Sequence, residues 1–80
     1  MKTFHLTIAK VGENLFDGDA NAVTLPGEEG VFTVMAGHEA FVTPLKAGDA
    51  VVEGADGAKE TYPITGGIAE VSSNQATVLL

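Results

Sequence analysis

Asp49-Ala50-Val51-Val52-Glu53-Gly54-Ala55-Asp56-Gly57-Ala58-Lys59-Glu60-Thr61-Tyr62-Pro63-Ile64-Thr65 is the stretch whose reading decides the fold. Residues 49–53 and 60–65 are β-prone runs on either side of Ala55-Asp56-Gly57-Ala58. Asp-Gly favours a tight hairpin, because the turn needs residues that tolerate positive φ. The pattern repeats downstream, where residues 68–72 and 75–80 flank Ser73-Asn74. Gly66-Gly67, between the two hairpins, reads as a bulge or tight bend. Upstream, Phe4, Leu6 and Ile8 alternate with Thr3, His5 and Thr7, the signature of a half-buried strand. Gly12, Asn14, Asp17, Gly18 and Asp19 mark a loop, with Leu15 and Phe16 tucked inward. Residues 20–25 form a second strand with Val23 and Leu25 on one side, ended by Pro26-Gly27. Residues 31–35 are a third strand and residues 40–46 a fourth, with Pro44 at an edge or bulge. Ala47-Gly48-Asp49 turns the chain. Turn signals recur about every 8–12 residues, which is the spacing of an all-β sandwich or small barrel. No segment has the length and period of an amphipathic helix.

Composition agrees. The chain has 80 residues, 45% of them hydrophobic and 19% charged, enough apolar surface for one folded domain spanning 1–80. Eleven acidic against four basic residues leave a net charge of −7. Four lysines without an arginine neutralise few phosphates, which argues against nucleic acid and against anionic lipid. There is no cysteine, hence no disulfide and no thiolate metal site. No apolar run approaches the ~20 residues that cross a bilayer. His5, Thr7 and Lys10 interrupt any signal-peptide core, so a cytoplasmic-side soluble protein is expected.

Catalytic chemistry finds little support. His5 and His38 lack the short spacing and further ligands that zinc needs, so His5 reads as an exposed strand residue and His38 as a corner residue bonded to backbone. Gly27-Glu28-Glu29-Gly30 is no phosphate cradle, since two carboxylates occupy the place of the anion. Glu28 with Glu29, or Glu53 with Glu60, are the available carboxylate pairs, and no Gly-x-Ser-x-Gly elbow is present. The residues point to binding of another protein rather than catalysis, with no cofactor.

A resemblance sharpens this. Leu25-Pro26-Gly27-Glu28-Glu29-Gly30-Val31-Phe32-Thr33-Val34-Met35-Ala36-Gly37-His38-Glu39-Ala40-Phe41-Val42-Thr43-Pro44-Leu45-Lys46-Ala47-Gly48 resembles the epsilon subunit of F-type ATP synthases. Gly66-Gly67-Ile68-Ala69-Glu70-Val71, Asn74-Gln75-Ala76-Thr77-Val78-Leu79, Phe4-His5-Leu6-Thr7-Ile8 and Phe16-Asp17-Gly18 fit the same family in order. The resemblance implies a flattened sandwich of about ten short, mostly antiparallel strands. It implies a non-catalytic rotor subunit that couples c-ring rotation to the gamma subunit during ATP synthesis. Its place would be peripheral, on the cytoplasmic face of the energy-coupling (plasma) membrane, as a monomer within the complex. Glu28, Glu29, Gly30 and Val31 would then face the c-ring. Met35, Gly37, His38, Ala40 and Thr43 would lie in gamma or rotor contacts, while Phe32 and Phe41 belong to the core.

Three departures qualify the match. Ala36 and Ala40 replace the prolines usual around the Gly37-His38 corner. Val31 stands where many members carry a polar or acidic residue, which shifts any charge role to Glu28 and Glu29. The family's two-helix carboxy-terminal domain is not in the sequence after Leu80, which fits either a naturally short member, slightly favoured by the start at Met1, or a trimmed chain. Two competing readings are a free-standing interaction module of the same fold and a small hydrolase built on paired carboxylates. The apolar end, Val78-Leu79-Leu80, is read as open to pairing with another chain if uncovered.

Overall fold

The computed structural model describes residues 2–37, 39–72 and 74–80. Within them six strands run in chain order: β1 (Phe4–Lys10), β2 (Glu13–Gly27), β3 (Gly30–Met35), β4 (Phe41–Gly54), β5 (Lys59–Ser72) and β6 (Gln75–Leu79). The described residues contain no helix. The strand order is β1-β6-β5-β4-β2-β3, and a further β1–β2 pairing closes the sheet on itself. The result is a flattened sandwich measuring 31 × 24 × 20 Å. Every pairing is antiparallel except β1 with β6.

The expected ten or so short strands are six, because β2, β4 and β5 run for 15, 14 and 14 residues. Several residues read as turns are bends inside continuous strands. Residues 13–19, read as part of a loop, form the first half of β2 and pair with β1, Gly18 opposite Leu6 and Asp19 opposite His5. Ala47-Gly48-Asp49 does not reverse the chain; Gly48 and Asp49 pair with Ile64 and Pro63 of β5. Gly66 and Gly67 are likewise in the ladder, opposite Lys46 and Leu45. Two long strands thus bend at the same level and pass from one layer of the sandwich to the other, as bent strands do at sandwich corners. Small residues are needed there, since a β-carbon on Gly48 would come within 2.9 Å of the Pro26 ring.

Alternation is legible where it was expected. Phe4, Leu6 and Ile8 of β1 are buried and His5 exposed; Val23 and Leu25 of β2 are buried. The core adds Val34, Leu45, Ala50, Val52, Ile64, Ala69, Val71, Ala76 and Val78. Leu15, Phe16, Phe32 and Phe41 pack against it partly buried, Phe32 and Phe41 edge to face at 5.5 Å. The β4–β5 hairpin closes where it was read: the Gly57 N–H donates to the Gly54 carbonyl and the Gly54 N–H to the Ala58 carbonyl, each at 2.9 Å. Only Gly57 there has positive φ (86°), so a three-residue loop replaces the two-residue form. At the irregularity between Ala20 and Ala22, the Asn21 amide donates to the Glu53 carboxylate (3.2 Å) and the Gly54 carbonyl (3.0 Å), in place of the interrupted ladder. The condition for pairing by the apolar end is not met: β6 lies between β1 and β5, so both its sides are bonded.

Candidate interaction surface

The β2–β3 hairpin positions the first group of candidate residues. Gly27 pairs with Gly30, and Glu28 and Glu29 form the two-residue loop. Pro26, with no N–H to give, lies in the irregularity that interrupts the β2–β4 ladder between Thr24 and Gly27, and Gly27 resumes it opposite Leu45. The Glu28 N–H donates instead to the Pro44 carbonyl at 3.2 Å, which ties the tip to β4. Neither glutamate adopts positive φ; Gly30 absorbs the twist of the tight loop with φ 142°. Glu28, Glu29 and Gly30 are exposed, and so is Val31, at 70%. The four residues read as one group therefore form one tip, two carboxylates beside an uncovered valine.

The second group is less uniform. Met35 ends β3 with 59% of its surface exposed, and Gly37 and Ala40 are exposed in the connection to β4. His38 lies outside the described residues. Thr43 shares the parity of buried Leu45 and is itself half-buried, with its hydroxyl 3.4 Å from the Pro44 carbonyl. Its outward neighbours are Val42 and Pro44, both exposed.

Those neighbours belong to a surface that the sequence reading missed. Pro44 pairs with Ile68, and Ile68 pairs with Leu79, so three exposed apolar residues share one rung across β4, β5 and β6. Ile68 is 46% and Leu79 49% exposed, and Val42, two residues along β4, is 67% exposed. Lys46 and Glu70 flank this row. A signal was present: Ile68 has the parity of exposed Glu70, while Ala69 and Val71 face the core. An apolar row on an outward face is what a protein partner covers.

Among the described residues the carboxylate pair Glu53 and Glu60 does not converge. Glu53 pairs with Lys59 and Glu60 with Val52, so the two glutamates occupy successive rungs that face opposite ways. Glu53 accepts from Asn21, and Glu60 accepts from the Tyr62 hydroxyl at 2.8 Å. Burial and then that bond to a carboxylate raise the Tyr62 phenol above its usual value of 10.0. An open groove of about 590 Å³ lies between the β1–β2 turn and β5, lined by Lys10, Val11, Leu15, Pro63 and Leu80 among others, with no carboxylate in its walls. His5 Nε2 lies 2.7 Å from Asp17 Oδ1, and His5 Nδ1 3.8 Å from Asp19 Oδ1, on the exposed side of the β1–β2 pair. Among the described residues no three such side chains converge to hold a metal ion.

Comparison with known proteins gives a consistent result. Residues 3–80 match the family described as ATP synthase, Delta/Epsilon chain, beta-sandwich domain. The ATP synthase epsilon chain of Delftia acidovorans is 39% identical over 79 residues, covering 99% of this chain and 57% of that one. That of Nitratiruptor sp. is 42% identical over 80 residues, covering 100% and 62%. The chain thus spans about three-fifths of the length of these curated relatives. Among solved structures, a chain of the Euglena gracilis mitochondrial ATP synthase, from its OSCP/F1/c-ring structure, superposes with a TM-score of 0.90 at 32% identity, covering 96% of this chain and 49% of that one. A chain from the Tetrahymena thermophila mitochondrial ATP synthase, central stalk and c-ring, reaches 0.79 over 98% of this chain and 63% of that one at 13% identity, a likeness of fold alone.

Proposed function

The chain belongs to the beta-sandwich family of ATP synthase delta/epsilon chains, and from that premise we propose that it is a non-catalytic rotor component, coupling c-ring rotation to the gamma subunit during ATP synthesis. It acts as one domain, residues 1–80, at the cytoplasmic face of the energy-coupling membrane. The observation that carries the reading is the exposed apolar rung Pro44–Ile68–Leu79 with Val42 beside it, on a sheet whose opposite face forms the core. A subunit that passes torque needs a stiff body with a sizeable surface committed to its neighbour. A bonded sandwich with an apolar row supplies both.

In this proposal Glu28, Glu29, Gly30 and Val31 approach the c-ring, where the two carboxylates meet basic polar loops and orient the encounter. Met35, Gly37, His38, Ala40 and Thr43 lie at or beside the gamma contact, with Val42, Pro44, Ile68 and Leu79 as its apolar centre. The test is a calorimetric titration of this chain into the cognate gamma subunit. Saturable binding at micromolar or lower concentration is expected. The rotor role fails if no heat of binding appears there, and a free-standing module of the same fold becomes the better account.

A further inference from the structure

Among the described residues several strand sides are unpaired, and most carry the residues that discourage further pairing. Residues 13–19 of β2 pair with β1 alone and carry Glu13, Asp17 and Asp19. Residues 59–65 of β5 pair with β4 alone and carry Lys59, Glu60 and Pro63. Charges and prolines of this kind protect an open edge. β3 is different. Among the described residues it pairs with β2 alone, and Gly30-Val31-Phe32-Thr33-Val34-Met35 contains neither a charge nor a proline.

The register shows which groups of β3 are free. Pairs alternate between bonded and non-bonded in an antiparallel ladder. Pro26 has no N–H and faces Val31, so the bonded pairs are Gly27/Gly30, Leu25/Phe32 and Val23/Val34. The N–H and C=O groups of Val31, Thr33 and Met35 therefore point away from β2. The outward side chains of the same three residues are exposed, Val31 at 70% and Met35 at 59%. We infer that the open edge of β3 takes up an extended segment of a partner chain as an added strand. Its apolar residues lie beside Val31 and Met35, and its basic residues lie beside Glu28 and Glu29.

Such strand addition draws affinity from main-chain bonds and specificity from alternate side chains. A second copy of this chain is a poor occupant, because each copy carries a charge of −7 and brings its own Glu28 and Glu29. The inference rests on the rotor reading, in which Glu28, Glu29, Gly30 and Val31, together with Met35, face partner chains. It adds the mode of attachment.

The experiment is residue-resolved hydrogen–deuterium exchange on the isotope-labelled chain, free and bound to the rotor complex of gamma and c-ring. Calorimetry runs alongside. In the free chain the amides of Phe32 and Val34 are slow and those of Val31, Thr33 and Met35 fast. On binding, the latter three slow by about 100-fold or more. Thr33→Pro, which removes one outward N–H at a position where an edge strand tolerates proline, weakens binding by about tenfold or more. Thr33→Ala keeps the amide and stays within about threefold, which separates the main-chain bond from the hydroxyl contact with Thr24. Binding with all three amides still fast overturns strand addition and leaves the rotor role standing. Absence of binding overturns both. A dimer of the free chain that protects the same amides assigns the edge to a second copy and overturns the proposed occupant.

Discussion

A β-carbon built on Gly67 would overlap the carbonyl oxygen of Leu79. It would also crowd the Leu80 side chain at 3.1 Å, and Gly67 has φ 140°. Gly67→Ala therefore meets two obstacles, a backbone conformation closed to L side chains and an occupied volume. The expected loss is about 2–4 kcal/mol, read as a lower urea midpoint. Gly30 has φ 142° but no atom within 4 Å of a built β-carbon, so Gly30→Ala meets only the first obstacle. It should lose about half as much, about 1–2 kcal/mol. Equal losses at the two positions would contradict the steric role of Leu79.

Leu6 is fully buried where β1 closes the sheet, and its cross-strand neighbours are Gly18 on β2 and Ala76 on β6. Neither neighbour has a side chain long enough to fill a hole. Leu6→Ala should therefore cost about 3–5 kcal/mol, the upper range for such truncations. Thermal unfolding followed by circular dichroism gives the number. A cost below 2 kcal/mol would mean that the closure relaxes.

Tyr62 is the one tyrosine and there is no tryptophan, so the ultraviolet phenolate band reports a single group. Its pKa is raised above 10.0, by burial first and then by its bond to the Glu60 carboxylate. The folded state thus holds this proton more tightly than the unfolded chain does. The stabilisation is fully present below pH ~10 and is lost as pH rises through the folded value. A spectrophotometric titration should place the midpoint above that of free tyrosine, and Glu60→Gln should move it down. An unchanged midpoint in the variant would leave burial as the whole cause.

Ile68 sits between Pro44 and Leu79 at the centre of the exposed apolar rung. Ile68→Ser removes apolar surface from a solvent-facing site, so unfolding should shift by less than about 0.5–1 kcal/mol. Binding to gamma should fall by about tenfold or more, because central apolar residues dominate interfaces. Unaltered affinity would move the gamma contact off this face.

Glu28 and Glu29 stand together at the hairpin tip, both exposed. Exposed charges act on encounter more than on the bound state. Glu28→Gln combined with Glu29→Gln should slow association with the rotor complex and flatten its salt dependence, with little change in dissociation rate. Stopped-flow kinetics at several ionic strengths distinguishes the two. A purely dissociative effect would place both carboxylates inside a desolvated contact.

Much of this protein was written locally in its sequence. Period-two alternation from Phe4 to Ile8 and the Asp56-Gly57 hairpin were legible, because each depends on residues a few positions apart; Pro26-Gly27, read as ending a strand, instead pairs with Val31 and Gly30 inside β2, and the chain turns two residues later. So was the family, carried by short motifs in fixed order. What needed the tertiary structure was every relationship between distant segments. Ala47-Gly48-Asp49 carries turn chemistry, yet the ladder between β4 and β5 holds Gly48 and Asp49 inside continuous strands and makes the segment a bend, level with the bend expected at Gly66-Gly67. Asp17 and Asp19 look like loop residues until β1 pairs with them. The rung Pro44–Ile68–Leu79 joins three segments, and no local pattern brings them together. The open edge of β3 is likewise a statement about which strands its neighbours already hold. A strand's sequence determines its two faces, but its partners on either side are settled only when the chain closes its long loops and the whole set of hydrogen bonds is satisfied at once.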